Sequence, residues 1–185
     1  MFPANPNVED IPVIPNPLHP AVVHFPIVFA VLLPFIAAGA LWAIRRGTTP
    51  RRAWLFPLAL AAALTLSAIV AVKSGQAQEN RVENIVGERP VHGHEEAAEL
   101  FLVLSGLLLA VAVVGLAPGL VGRAARIVAT VGTLGVLGAG YQVGASGGEL
   151  VYHHGAASVY ALQGGQVSSP STSTNPEARG EREEH

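Results

Sequence analysis

The chain contains no cysteine, and this absence removes several kinds of site at once. Without thiols the protein has no disulfide, no thiolate metal site, no cysteine-ligated iron–sulfur cluster and no cysteine nucleophile. Any metal would be bound by histidine, carboxylate or backbone oxygen. Charge is also scarce, because Asp, Glu, Lys and Arg make up 13% of the residues, against about 25% in ordinary soluble domains. The net charge of -2 provides no basic surface for nucleic acid.

The sequence instead contains long apolar segments. The run from Ala21 to Ile44 contains no Lys, Arg, Asp or Glu, and at about 1.5 Å per residue it is long enough to cross a bilayer. Three similar segments follow. The sequence therefore predicts an all-α protein, a bundle of four transmembrane helices in a lipid bilayer. The helices are expected over residues 20–44, 53–72, 94–116 and 124–145.

The two ends of the chain differ in composition from the apolar middle. Residues 1–18 are rich in proline and predict an extended periplasmic arm. Residues 19–163 form the predicted four-helix membrane domain, in which residues 147–155 are expected to fold back over the outer mouth of the bundle. Residues 164–185 are rich in Ser, Thr, Pro, Gly and charge, which is typical of a disordered tail. The sequence indicates no internal repeat and no second domain.

Arginine is distributed unevenly among the loops. Residues 45–52 and 118–126 hold six arginines and no acids, whereas residues 73–96 hold three basic residues and five acids. By the positive-inside rule, the arginine loops face the cytoplasm. Both termini and the long connection then face outward, so we expect a multi-pass protein of the bacterial inner membrane with periplasmic termini.

This topology brings six of the seven histidines to one membrane face. His24 is the one ionisable side chain in the first apolar run, and such groups inside transmembrane helices indicate function more often than not. The alternative is a neutral histidine that is hydrogen-bonded at the interface. As metal or haem ligands we rank His24 first, His94 as its partner and His154 next, with His19 expected to support the site or to face solvent.

Three motifs carry a family resemblance. They are the opening His19-Pro-x-x-Val-His24-Phe-Pro-Ile, the pair His94-Glu95, and the segment Gly148-x-Leu-Val-Tyr-x-His154-Gly155. Over roughly residues 17–160, the chain resembles an uncharacterised bacterial family of four-helix membrane proteins, the domain of unknown function 2231. The resemblance implies a compact bundle with histidines near one face, a pattern similar to that of haem-binding membrane cytochromes. His92 and His153 fall outside the matching motif positions.

Three functions remain open from the sequence. In the first, two neutral imidazoles bind haem b in the bundle and the protein transfers electrons, alone or as a subunit beside other membrane or periplasmic redox proteins. In the second, His24, His94, His154 and His19 bind copper or zinc at the outer mouth, with Glu95 or Glu99 completing the site. In the third, the protein is a structural subunit of a larger membrane complex. No nucleophile motif, phosphate loop or dinucleotide fingerprint is present, so an independent enzyme is less favoured.

Overall fold

The structure is a computed structural model that describes residues 19–77 and 88–152. Within these ranges the chain is helical and contains no strand. The helices are α1 (His19–Val22), α2 (His24–Arg45), α3 (Pro50–Gln76), α4 (Glu88–Val114) and α5 (Gly119–Tyr152). The predicted arm, residues 78–87 of the long connection, residues 153–163 and the predicted tail lie outside the described residues.

Four helices of the described residues are long and apolar enough to cross a membrane, which confirms the predicted all-α bundle. The spans are His19–Arg45, comprising α1 and α2, and then Pro50–Gln76, Arg89–Val114 and Gly119–Tyr152. The chain turns sharply at Gly47 and Gly119, whose φ angles of 101° and 68° favour glycine. Because the turns between α2 and α3 and between α4 and α5 are short, each of these helix pairs is an antiparallel hairpin.

The first span is interrupted at Val23, where α1 gives way to α2. Pro26 explains the position of this break. Its ring has no N–H to donate and would clash with the carbonyl four residues earlier, at Val22. The first span nevertheless begins at His19, on the N-terminal side of the break. His19 therefore lies in the short helix α1 and not in α2.

The helix ends at one side of the bundle extend further than the sequence predicts. The third helix is predicted to begin near His94, but α4 begins at Glu88, and Pro90 fits in its first turn, where a missing N–H is tolerated. The predicted fold-back of residues 147–155 is wrong for residues 147–152, because α5 continues to Tyr152. Leu150 is buried there, and this packing offsets the low helix propensity of the two glycines before it.

The four long helices form a closed bundle in which each helix packs against its neighbours in the chain and α5 packs against α2. Accordingly, α2 and α4 lie diagonally opposite each other, as do α3 and α5. Two ends can be distinguished. At the histidine end α1 and α4 begin and α3 and α5 end, whereas at the arginine end α2 and α4 end and α3 and α5 begin.

Small residues fill the interior, and large apolar residues face outward. Twelve of the buried core residues are alanines, whereas Phe35, Phe56 and Leu120 are each more than 70% exposed. This distribution suits a bundle in lipid, where close approach of helix backbones drives association. The middle of the bundle is closely packed, and the void there has a volume of only about 10 Å³.

Glycines of α5 permit part of this close packing. A Cβ atom on Gly140 would lie 3.1 Å from the Phe101 ring, and one on Gly132 would lie 3.3 Å from a Leu108 methyl group. Both contacts are with α4, so these two glycines serve helix–helix packing. By contrast, no atom lies within 4 Å of the corresponding position at Gly135, Gly138 or Gly144 of the same helix.

Candidate functional site

His19 is anchored at the histidine end by the last turns of α3. Its Nδ1 atom lies 2.9 Å from the carbonyl oxygen of Ala71 and 3.1 Å from Oγ of Ser74. The Ser74 hydroxyl itself donates to the Ala71 carbonyl over 2.8 Å. The imidazole is half-buried. These bonds tie the first turn of the chain's first span to the end of the second span.

His94 is anchored in the same way by the last turns of α5. Its Nδ1 atom lies 2.9 Å from Oγ of Ser146, and the Ser146 hydroxyl donates to the Val143 carbonyl over 3.0 Å. This histidine is also half-buried. It lies six residues inside α4, about 9 Å along the helix axis from Glu88, so its backbone is held by a regular helix.

The hydrogen bonds determine which nitrogen of each ring carries the proton. A carbonyl oxygen can only accept, so Nδ1 of His19 must donate to Ala71. The Ser146 hydrogen is given to Val143, so Ser146 Oγ accepts from Nδ1 of His94. In the neutral form of each ring, Nε2 then has a free lone pair. Within the described residues no hydrogen bond reaches either Nε2 atom, so both are available to a ligand.

Each imidazole lies against a glycine of the helix that anchors it. A Cβ atom on Gly75 would lie 3.1 Å from Cε1 of His19, and a Cβ atom on Gly147 would lie 3.1 Å from Cε1 of His94. Any larger residue at these two positions would push the ring away. The Ser-Gly pairs at residues 74–75 and 146–147 therefore provide both the hydrogen-bond partner and the space for a histidine.

The two anchored histidines meet across the bundle. Their ring centroids are 6.4 Å apart, and the ring planes are inclined at 85°. They come from spans that lie diagonally opposite each other, so the line between them crosses the interior at the histidine end. This arrangement brings together two imidazoles of the same protonation pattern, and no hydrogen bond within residues 19–77 and 88–152 reaches Nε2 of either ring.

A cavity of about 390 Å³ lies beside His94 at this end of the bundle. It is an open pocket and not an enclosed one, and among the described residues His19 does not line it. Its lining combines apolar, charged and hydroxyl groups from α4 and α5: Arg89, Pro90, Gly93, His94, Ser146, Glu149 and Leu150.

His24, ranked first from the sequence, is placed differently. Its side chain is exposed, and the structure gives it no hydrogen bond among the described residues. His19 instead is the histidine that meets His94. His154 lies outside the described residues, as does His153, so their positions relative to the pair are not described. A role for His24 or His154 as a ligand stays a prediction.

The acidic residues near the pair have other contacts. Glu95 lies 3.5 Å from His92 Nδ1 and accepts a hydrogen bond from Gln76 over 3.4 Å. Glu99 is exposed. Among the described residues, no group of three or more His, Cys, Asp or Glu side chains is arranged to hold a metal ion. The described part of the site thus offers two imidazole ligands.

The sequence indicated two of these histidines but not the residues that hold them. Lys73-Ser74-Gly75 has the composition of a helix stop, and a Ser-Gly pair has no functional meaning on its own. The signal that could have revealed the anchors is its recurrence, because a Ser-Gly pair occurs near the end of both the second and the fourth apolar segments.

The comparisons with known proteins bear on the class of protein. A family model described as a predicted membrane protein, DUF2231, matches residues 15–159. No curated protein and no solved structure matches the chain. The family match covers all of the described helices and both anchored histidines.

Proposed function

Since the chain belongs to the DUF2231 family of predicted membrane proteins, we propose that it is a membrane electron carrier that binds haem b between His19 and His94. One observation carries this proposal. Two imidazoles from opposite spans meet at one end of the bundle, each fixed through Nδ1 and each with an Nε2 atom that accepts no hydrogen bond from the described residues. Metal-binding histidines in proteins are commonly held in this way, with the second ring nitrogen hydrogen-bonded to a carbonyl or another polar group.

The spacing of the rings supports a shared metal. Imidazole nitrogens bind metal ions at about 2.0 Å, so two rings on opposite sides of one metal have their centres roughly 6 Å apart. The observed separation of 6.4 Å between the His19 and His94 centroids is close to that value. The open pocket of about 390 Å³ adjoins the His94 side of this pair.

The number of ligands favours haem over a bare metal ion. Structural zinc takes four protein ligands, and the described residues offer two at this position. Haem iron already has four porphyrin nitrogens and needs only axial ligands from the protein. When bound, haem supplies one-electron exchange, and the histidines and their anchors hold and orient it. Copper or zinc remains the alternative if a residue outside the described ranges, such as His154, completes the site.

The same hydrogen bonds also suit a purely structural role. His19 joins the first span to α3, and His94 joins α4 to α5. In a subunit of a larger membrane complex, such bonds alone would keep the histidine end of the bundle together. This second candidate predicts that the purified protein contains neither haem nor stoichiometric metal.

The proposed location follows from the charges. With the arginine end at the cytoplasm, the histidine pair lies near the periplasmic face of the inner membrane. Electrons would then be exchanged with membrane or periplasmic redox partners on that side.

A reduced-minus-oxidised visible spectrum of the purified protein, with metal analysis of the same sample, tests the proposal. Haem b gives Soret and alpha bands that shift on reduction, together with about one iron per chain. A colourless protein with stoichiometric zinc, or weakly coloured protein with copper, would replace haem by a histidine metal site. Absence of both haem and metal after expression with added haem precursor would favour the structural subunit.

A further inference from the structure

The bundle consists of two hairpins with similar contacts. The first comprises α1, α2 and α3, and the second comprises α4 and α5. Both begin and end at the histidine end. Contacts within the two hairpins are the most extensive, and the two contacts between hairpins, α3 with α4 and α5 with α2, close the bundle.

The anchored histidines give a residue-by-residue relation between the hairpins. His19 corresponds to His94, a shift of 75 residues, and Ser74-Gly75 corresponds to Ser146-Gly147, a shift of 72 residues. The second shift also pairs Ala71 with Val143. The carbonyls of these two residues accept hydrogen bonds from the Ser74 and Ser146 hydroxyls. The Cβ positions of the two glycines lie at the same 3.1 Å from Cε1 of the histidine they contact.

The shift of 75 residues also aligns the buried face of the first helix in each hairpin. The five buried positions of α2 fall on four buried positions within α4 and on one just after its end. The pairs are Pro26 and Phe101, Ala30 and Ser105, Leu33 and Leu108, Ala37 and Ala112, and Ala40 and Gly115.

The shift of 72 residues does the same for the second helix of each hairpin. Five of the seven buried positions of α3 fall on buried positions of α5, and the other two, Ala68 and Ala71, fall on the half-buried Gly140 and Val143. The pairs are Ala53 and Ala125, Trp54 and Arg126, Pro57 and Ala129, Ala61 and Thr133, and Leu64 and Val136.

Burial alone would be weak evidence, because it recurs every three or four residues on any packed helix and some shift always aligns two helices. Here the shifts are set independently by the histidine, serine and glycine contacts, and the buried faces then agree without adjustment. Few of the paired residues are identical, which explains why the sequence indicates no repeat. The equivalence lies in burial and hydrogen bonding.

We infer that the chain is a tandem repeat of one helical hairpin, and that the site between His19 and His94 consists of two equivalent halves. Parallel repeats of this kind are known in membrane proteins, related by an axis along the membrane normal. In this chain the axis passes midway between the two imidazoles. The statement about a bound ligand rests on the proposed function: a metal centre at this site receives one imidazole from each repeat, in matching surroundings.

Two full-length variants test the equivalence of the halves, His19→Gly and His94→Gly, each purified with and without free imidazole. We expect both variants to lose the low-spin haem spectrum to the same degree, and both to recover it when imidazole fills the space of the missing side chain. Loss in only one variant, or recovery in only one, would overturn the equivalence.

A second measurement tests the repeat without any cofactor. Because the chain has no cysteine, nitroxide labels can be placed at exposed positions in pairs that the repeat relates, Leu32 with Ile127 in one sample and Leu107 with Leu55 in the other. A two-fold relation requires the same label-to-label distance in both samples, measured by pulsed electron spin resonance. Different distances would overturn the repeat. A colourless wild-type protein would contradict the proposed function alone, and these distances would still decide the repeat.

Discussion

At the scale of single residues, the glycines beside the histidines have a defined function in the structure. Gly147 leaves room for the His94 ring, whereas its neighbour Gly148 has no atom within 4 Å of its Cβ position. Both lie in α5, so an alanine gains up to about 1 kcal/mol of helix propensity at either position. Only at Gly147 does the added methyl group force the ring to move, a kind of overpacking that typically costs about 1–3 kcal/mol.

We therefore expect Gly148→Ala to raise the thermal unfolding temperature in detergent, and Gly147→Ala to leave it unchanged or lower it. Haem content should fall in Gly147→Ala and stay at the wild-type value in Gly148→Ala. If Gly147→Ala stabilises the protein as much as Gly148→Ala and retains full haem content, the His94 ring does not lie against Gly147.

The histidines illustrate what a sequence can predict at this scale. Grouping of the histidines at one end followed from helix order and loop charge. The choice between His19 and His24 did not, because it depends on which side of the first span faces the interior. Five residues correspond to about 140° around a helix, and the break at Val23 further changes the direction of His19. The exposed side chain of His24 is the result of that packing.

At the scale of helices, the arginine end of α4 shows how the bundle completes a helix terminus. The Leu116 N–H donates to the Val113 carbonyl and not to the Ala112 carbonyl four residues earlier. The Ala112 carbonyl accepts a hydrogen bond from the buried Trp54 indole N–H over 2.9 Å. The guanidinium of Arg126 donates to the Gly115 carbonyl over 2.6 Å. A cation at the C-terminus of a helix is also favoured by the helix dipole. By sequence Arg126 belongs to the arginine-rich loop of residues 118–126, but in the structure only 6% of its surface is exposed.

We expect Arg126→Met to destabilise the bundle by about 1–3 kcal/mol, because the Gly115 carbonyl loses its partner in a buried position. Arg123→Met is the matched control, because Arg123 is exposed and its substitution removes the same charge from the same loop. The control should stay within about 0.5 kcal/mol of wild type. Chemical unfolding in mixed micelles measures both variants. Equal effects would show that loss of charge, and not the bond to Gly115, causes the change.

Helices were easier to predict than their ends. Long apolar runs are sufficient to indicate four spans, and short loops indicate antiparallel neighbours. The outer turns of α4 and α5 contain charged residues and glycines, which have no clear helical signal. They are helical because side chains such as Val91 and Leu150 are buried against the rest of the bundle, and this contact cannot be derived from local sequence.

At the scale of the whole molecule, the six arginines at one end of the bundle predict the orientation in the membrane. A reporter that is active only in the cytoplasm should be active when fused at Thr48, and a reporter that is active only outside should be active when fused after residue 165. The positive-inside rule gives the reason. The reverse pattern would place the histidine pair at the cytoplasmic face and change the redox partners expected for it.

Orientation and bundle order do not identify the ligand. The core consists mainly of alanine and leucine, a composition that serves many membrane bundles, and fold alone does not determine function. The functional proposal therefore rests on one pair of side chains and on the groups that anchor them. These contacts join residues more than fifty positions apart in the chain, which a single sequence does not reveal.

The most direct test of the account compares His19→Ala with His24→Ala in the purified protein. The two histidines lie in the same span, but only His19 meets His94. The account predicts that His19→Ala abolishes the low-spin haem spectrum or converts it to a high-spin one, while His24→Ala keeps the wild-type spectrum and haem content. A normal spectrum in His19→Ala together with its loss in His24→Ala would contradict the assignment of the site.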